Sequence, residues 1–450
     1  MQTPFPCAAL PCLGAFMALA FALPAHAAGV VGTGTPASCT EAALTTAMAG
    51  GGAVTFNCGA APHTIVLTTQ KNLSMDTQID GGGRITIDGN QLRRHFYMAS
   101  PAHLALTGLT LARGYSAATA GSIYAEGPGA ALTLTDVTLA NNVADNRGGA
   151  IVAINGVAIN FTRVRASGNR ALEGGVIFTL NSNATITLNQ FAAIGNHADL
   201  SGGAIHHKGG TMLISDSLFA GNSIDPANNQ GGGAIDVQPA GASNFTITNS
   251  TFQGNSAINA GSAIRALNVA GGDIASSTFS GNTGAPAITA YGTAQLTLRN
   301  TIVANTSGHA NCTVQNTATI TDSGNNLQFG GSVAQSCGGA IPEADPLLAP
   351  LANNGGFTQS MALQAGSPAI DSGNACPPTD QRGVARPVGM ACDIGAFEGL
   401  APVPPVVPGG ASAIPTLGHA GLALLSALVA GAGALRRRRF FKQKQAPALM

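Results

Sequence analysis

Three residues offer chemistry both by type and by spacing: His206, Asp236 and Arg265. Each stands directly after the isoleucine of a recurring phrase: Gly202-Gly203-Ala204-Ile205, Gly232-Gly233-Ala234-Ile235 and Gly261-Ser262-Ala263-Ile264. The same position on successive repeats puts them in one outward column with Tyr124, Val152, Phe178 and Thr289. Neighbours lie about 5 Å apart if the repeats stack as strands. In a substrate groove, His206 would serve as acid or base and Arg265 would hold a carboxylate. The plain alternative is a solvated charge ladder, on which Asp236→Ala costs less than about 1 kcal/mol. His207 faces the opposite side of its strand, so it cannot join His206 on a metal.

Other chemically suggestive residues point to structure. Aligning the repeats on their corner asparagines puts Asp136, Arg163, Gln190, Asp216, Asn249, Ser276 and Arg299 in a second column. Its two aspartates are three repeats and roughly 14 Å apart, too far for a two-carboxylate glycosidase, which needs about 5 to 9.5 Å. Asp80-Gly81-Gly82-Gly83-Arg84 and Asp88-Gly89-Asn90 resemble a single calcium-type Gly/Asp phrase without tandem copies, and read as turns. Asp371, Asp380 and Asp393 read as turn-forming or cap-bracing carboxylates. There is no CxxC pair, nucleophile elbow or phosphate-cradling GKS/GKT. No cofactor is expected, with calcium left open.

The elements that position these residues repeat along the middle of the chain. Gly148-Gly149-Ala150-Ile151 and Gly174-Gly175-Val176-Ile177 extend the series, and weaker copies end at Ile123 and Ile288. The steps between these isoleucines are 28, 26, 28, 30, 29 and 24 residues. Alternating segments that close on asparagine lie between them, such as LTLTDVTLANN (132–142) and FTITNSTFQGN (245–255). Period-2 alternation marks strands, while Gly and Asn mark corners. The expected fold is all-β: a right-handed, single-stranded parallel β-helix, each repeat making one coil. Inward Ile, Leu, Val and Phe would form columns in a core with room for little beyond aliphatics. Asn142, Asn169, Asn196, Asn222, Asn255 and Asn282 would stack as an amide ladder.

Solenoid ends need caps, because they expose unpaired strand edges. Residues 40–49 predict a short helix with Thr40 as N-cap, and residues 340–399, rich in turn residues, predict the opposite cap. The expected organisation is a signal peptide (1–27), N-terminal cap (28–63), β-helix (64–339), closing segment (340–399), Pro/Gly-rich linker (400–413) and C-terminal signal (414–450). The signal peptide rests on the apolar run 13–23 and Ala25-His26-Ala27. Export makes an even set of six cysteines a disulfide set. Sequence order favours Cys39–Cys58, Cys312–Cys337 and Cys376–Cys392 among fifteen connectivities.

Composition narrows the function classes. The chain has 450 residues, 60 of them Gly, with 9% charged residues and no Trp. Its zero net charge hides an uneven distribution. Six of the 20 basic residues lie in the last fifteen positions, leaving 14 against 20 acids in the body, a net of −6. A mildly acidic body without a basic stripe argues against nucleic-acid binding. Leu417 to Leu435 is long enough as a helix, about 28 Å, to span a bilayer core. The Arg436-Arg437-Arg438-Arg439 block after it would stay cytoplasmic and leave the body outside.

Two resemblances add to this. Ile414-Pro415-Thr416-Leu417, the apolar stretch and the arginine cluster resemble the IPTL-type C-terminal sorting signal of Gram-negative surface proteins. That signal implies an exosortase-type enzyme as partner. The family usually continues Ser-Glu-Trp-Gly, where this chain has Gly418-His419-Ala420-Gly421. Asn353-Asn354-Gly355-Gly356, Gly366-Ser367-Pro368-Ala369-Ile370-Asp371, Thr379-Asp380-Gln381-Arg382-Gly383 and Asp393-Ile394-Gly395-Ala396-Phe397-Glu398 resemble the choice-of-anchor Q family. Its pectate-lyase-like β-helix implies an exported, surface-retained protein with no established reaction. The expected function is structural, adhesive or glycan-binding. A polysaccharide lyase or hydrolase acting on acidic polysaccharide is the alternative.

Overall fold

The computed structural model describes residues 29–180, 185–227, 231–304, 306, 308–331 and 337–399, with 240–242 described as backbone alone. The signal peptide, the linker and the proposed membrane helix lie outside the described residues. Among the described residues, no helix is long and apolar enough to cross a membrane.

Alternation in the repeats produces a right-handed parallel β-solenoid of about 11 turns. Its register follows the phrases. Ile123, Ile151, Ile177, Ile205, Ile235, Ile264 and Ile288 pair in sequence, and Cys312 follows. All eight are buried, which fixes the register because a one-residue slip would turn the column to solvent. A second core column contains Phe245, Gly272 and Leu296. A Cβ on Gly272 would lie 2.6 Å from the Phe245 ring and 2.4 Å from Leu296, so the ring occupies the space glycine leaves.

The core is more aromatic than the composition predicts. Phe219, Phe252 and Phe279 stack nearly parallel, with centroids 4.8 and 4.6 Å apart. In-register parallel strands place like residues over one another at roughly the strand spacing, which suits stacked rings. The core thus gains large side chains without widening.

The corner asparagines form the expected ladder. From Asn142 to Asn282, each Nδ2 donates to the next Oδ1 at 2.9–3.0 Å, and each next Oδ1 also accepts the preceding asparagine's backbone N–H. Ser280 pairs with Ala304, which puts Thr306 at the next equivalent position. The other corner turns through left-handed backbone at Asp136, Arg163, Gln190, Asp216, Asn249, Ser276 and Asn300. The seventh member is therefore Asn300. Arg299 pairs with Ala275 instead, because the coil leading to it is one residue longer than the asparagine spacing implied.

The N-terminal cap is the helix α1, Glu41–Met48, with Thr40 accepting from the Ala43 N–H. Leu44 and Met48 cover the first coil. Glu41 fastens the helix: its carboxylate accepts from the backbone and hydroxyls of Thr68 and Thr69 and lies 2.6 Å from Lys71 Nζ. Burial pushes the Glu41 pKa up, but Lys71 and the threonine hydrogen bonds outweigh it and hold it at about 2. Its folded value lies below the ordinary 4.5, so its stabilisation is complete above that pH and is lost as pH falls through about 2. Glu41→Gln should therefore flatten the pH dependence of the melting temperature between those limits. An unchanged pH profile would remove Glu41 from this role.

Disulfides join Cys39 to Cys58, Cys312 to Cys337 and Cys376 to Cys392, the three local pairs. The closing segment differs from a simple end cap. It crosses the last coil, where Cys337 and Ile341 pack and Gln328 bridges Glu343. It then runs back along the flank. Asn374 meets Asn300, Ala396 meets Thr278, Gln381 meets Thr251 and Ser217, and Phe357 meets Arg165. The reason lies in the outward positions beneath it. Ala192, Leu218, Thr251, Ile302 and Leu327 are small or apolar and would otherwise face water.

Candidate functional site

The outward column has the order expected from the phrases. Tyr97, Tyr124, Val152, Phe178, His206, Asp236, Arg265, Thr289 and Thr313 pair one after another. His206, Asp236 and Arg265 are thus brought together on three adjacent strands, and His207 points inward, where Nδ1 meets Thr179 Oγ1 at 2.8 Å.

Their environment differs from both sequence readings. His206 is 1% exposed, Asp236 is 0% exposed, and the Arg265 side chain is 14% exposed. The column is neither a solvated ladder nor the floor of an open groove. The cover comes from the residues that precede each glycine pair. Tight Gly-Gly turns leave no room for a side chain; a Cβ on Gly203 would lie 2.1 Å from the Gly233 carbonyl oxygen. The chain before the pair, including Arg147, Glu173 and Ser201, is thereby folded over the sheet. These covering residues were missed from the sequence, although their position before each pair was a usable signal.

The resulting contacts form a closed network. Arg265 grips Asp236 with both prongs of its guanidinium, Nε to Oδ1 at 2.8 Å and NH2 to Oδ2 at 2.9 Å. Gln238 Nε2 donates to Oδ2 at 2.8 Å. His206 Nδ1 meets Ser201 Oγ at 2.7 Å, while Nε2 lies 3.6 Å from Asp236 Oδ2 and makes no hydrogen bond among the described residues. Phe178 packs edge-on against the imidazole at 5.4 Å, and Arg147 lies over Phe178 while binding Glu173. Burial pushes the His206 pKa down, against the upward pull of Asp236 and Glu173. A neutral imidazole therefore faces a carboxylate already held by charge-assisted bonds. Neither group presents an edge to a substrate.

The remaining carboxylates brace backbone. Asp80 accepts from the Gly82 N–H, and Asp88 accepts from the Asn90 N–H while pairing with Arg113. In the closing segment, Asp380 takes Arg382, Glu398 takes Arg386, and Asp371 and Asp393 accept backbone N–H groups. Among the described residues, no group of three or more His, Cys, Asp or Glu side chains could hold a metal ion.

Residues 412–439 match the IPTL-CTERM motif. That stretch contains the sorting residues Ile414 to Leu417 and Arg436 to Arg439, and the IPTL-CTERM motif indicates an exported, cell-surface-associated protein. No curated protein matches the chain. Among solved structures, the pectate lyase Pel9A is 15% identical with a TM-score of 0.38, covering 80% of this chain and 90% of that one. The PL6 family alginate lyase AlyGC is 13% identical with a TM-score of 0.30, covering 79% of this chain and 58% of that one. Likeness at this distance transfers no reaction.

Proposed function

We propose that the β-helix body is a surface-displayed scaffold with a structural, adhesive or glycan-binding role, not a polysaccharide lyase or hydrolase. The observation that carries this reading is the closed state of Asp236. It is fully buried and held by Arg265 and Gln238, leaving it no access to a substrate proton or a cation. A catalytic acid or base must come within hydrogen-bond reach of the proton it moves. The choice-of-anchor Q resemblance of the closing motifs accords with a displayed body and implies no established reaction. Incubating the purified full chain with a panel of acidic polysaccharides should release no unsaturated uronides, while a glycan array should report binding. Steady uronide release would reverse the assignment.

The tail supplies the address. An exosortase-type system would read the IPTL-CTERM signal, with the apolar stretch 417–435 as a membrane helix and the arginines on the cytoplasmic side. Deleting residues 414–450 should send intact body into the medium. Continued retention of the truncated protein on cells would reveal another anchor.

A further inference from the structure

The outward column changes character after Arg265. Phe178, His206 and Asp236 are covered, but over Thr289 and Thr313 the sheet opens into a cleft of about 620 Å³. Asn259, Pro286, His309 and Gln315 are among the residues that line it. The volume falls within the range of small-molecule sites, about 300–1,000 Å³.

Thr289 marks the floor. Its side chain belongs to a residue only 2% exposed, it lines the cleft, and its Oγ1 has no hydrogen-bond partner among the described residues. A buried hydroxyl left unmatched costs about 1–3 kcal/mol, so a ligand hydroxyl that pairs with it gains that much over a mute surface. The rest of the lining restricts the chemistry. Asn259 and Gln315 carry amides that both donate and accept, as hydroxyl groups do. Pro286 and Val314 supply a small apolar surface for the C–H face of a ring. Among the described residues, His309 is the one ionisable side chain of the lining, which offers no carboxylate for a cation and no guanidinium or ammonium for an acidic sugar.

We propose that this cleft binds an uncharged, polyhydroxylated ligand, a neutral saccharide segment, with Thr289 at its base. The inference rests on the binding reading above and narrows it to one site and one ligand class. The acidic polysaccharides of the lyase reading are the wrong partners for this lining.

The test titrates the detergent-solubilised full chain with neutral tetrasaccharides (cellotetraose, xylotetraose and mannotetraose) and with tetragalacturonate, using saturation-transfer NMR and calorimetry. At least one neutral sugar should bind, and tetragalacturonate should not. Thr289→Val keeps the shape and removes the hydroxyl; it should weaken binding about tenfold or more, the equivalent of one such hydrogen bond, while the melting temperature of the free protein holds or rises because an unmatched buried hydroxyl is gone. Gln315→Ala, at an exposed position, should weaken binding without touching the core. Neutral-sugar binding that survives both substitutions would overturn the cleft while leaving a glycan-binding role elsewhere. Binding of tetragalacturonate alone would overturn the ligand class. If no sugar binds, both this inference and the glycan-binding reading fall, leaving the structural and adhesive roles.

Discussion

Asp236→Ala is expected to destabilise the body by about 3 kcal/mol, several times the cost at an exposed ion pair. Removing one partner of a buried pair costs roughly 3–5 kcal/mol because the other charge is left uncompensated. The lower end applies here, since the Arg265 side chain keeps 14% exposure and regains some hydration. Gln238 also loses its acceptor. The companion variant Asp236→Ala/Arg265→Met should recover most of the loss, because it removes the stranded cation and restores apolar volume. Solenoids do not always unfold as one unit, so hydrogen exchange at the Ile205–Ser215 and Ile264–Leu267 strands is the better readout than a single melting transition. A loss below about 1 kcal/mol would return the column to the solvated ladder. His206 titration checks the same geometry. Its pKa lies below the ordinary 6.5, and removing the Asp236 charge should lower it further.

Asn196→Ala should cost at least as much, about 4 kcal/mol, although it removes no charge and little volume. Asn196 Oδ1 accepts from the backbone N–H and the Nδ2 of Asn169, and its own Nδ2 donates to the Ala166 carbonyl and to Asn222 Oδ1. Alanine strands the Asn169 N–H and the Ala166 carbonyl in a dry corner, where each unmatched group costs about 1–3 kcal/mol. Asn196→Asp separates donor from acceptor effects. It keeps the acceptor for Asn169 but places a buried carboxylate against the Ala166 carbonyl and Asn222 Oδ1, which raises its folded pKa above the unfolded value. That variant should be most stable at low pH and lose stability as pH rises through the raised pKa. An Asn196→Ala protein with wild-type exchange protection on neighbouring coils would show that the ladder is ornamental.

Much of the architecture was legible because a parallel coil repeats its own geometry. The isoleucine phrases and corner asparagines recur at one coil length, so counting along the chain placed His206 beside Asp236 and Asp236 beside Arg265. Counting failed where coil length changed: Asn300 takes the corner position that asparagine spacing gave to Arg299. It also undervalued phenylalanine, since composition says nothing about rings meeting face to face.

What the sequence by itself determined was the local pattern: strand alternation, the coil repeat, the order of residues in the column after the isoleucines, the N-terminal helix with its Thr40 cap, and the C-terminal sorting motif. These depend on periodicity and short-range chemistry, which act between residues close in the chain or one coil apart. Only the tertiary structure decided what lies over each column. Residues before the glycine pairs lie against His206, Arg265 and Gln238 close around Asp236, the closing segment lies against outward residues as distant as Arg165 and Asn325, and Thr289 is left beneath an open cleft. Alternation tells inside from outside of a coil, but burial on the outside depends on segments that return from elsewhere in the chain. That difference turns a surface ladder into a sealed ion pair, and it moves the candidate binding site one coil along, from Arg265 to Thr289.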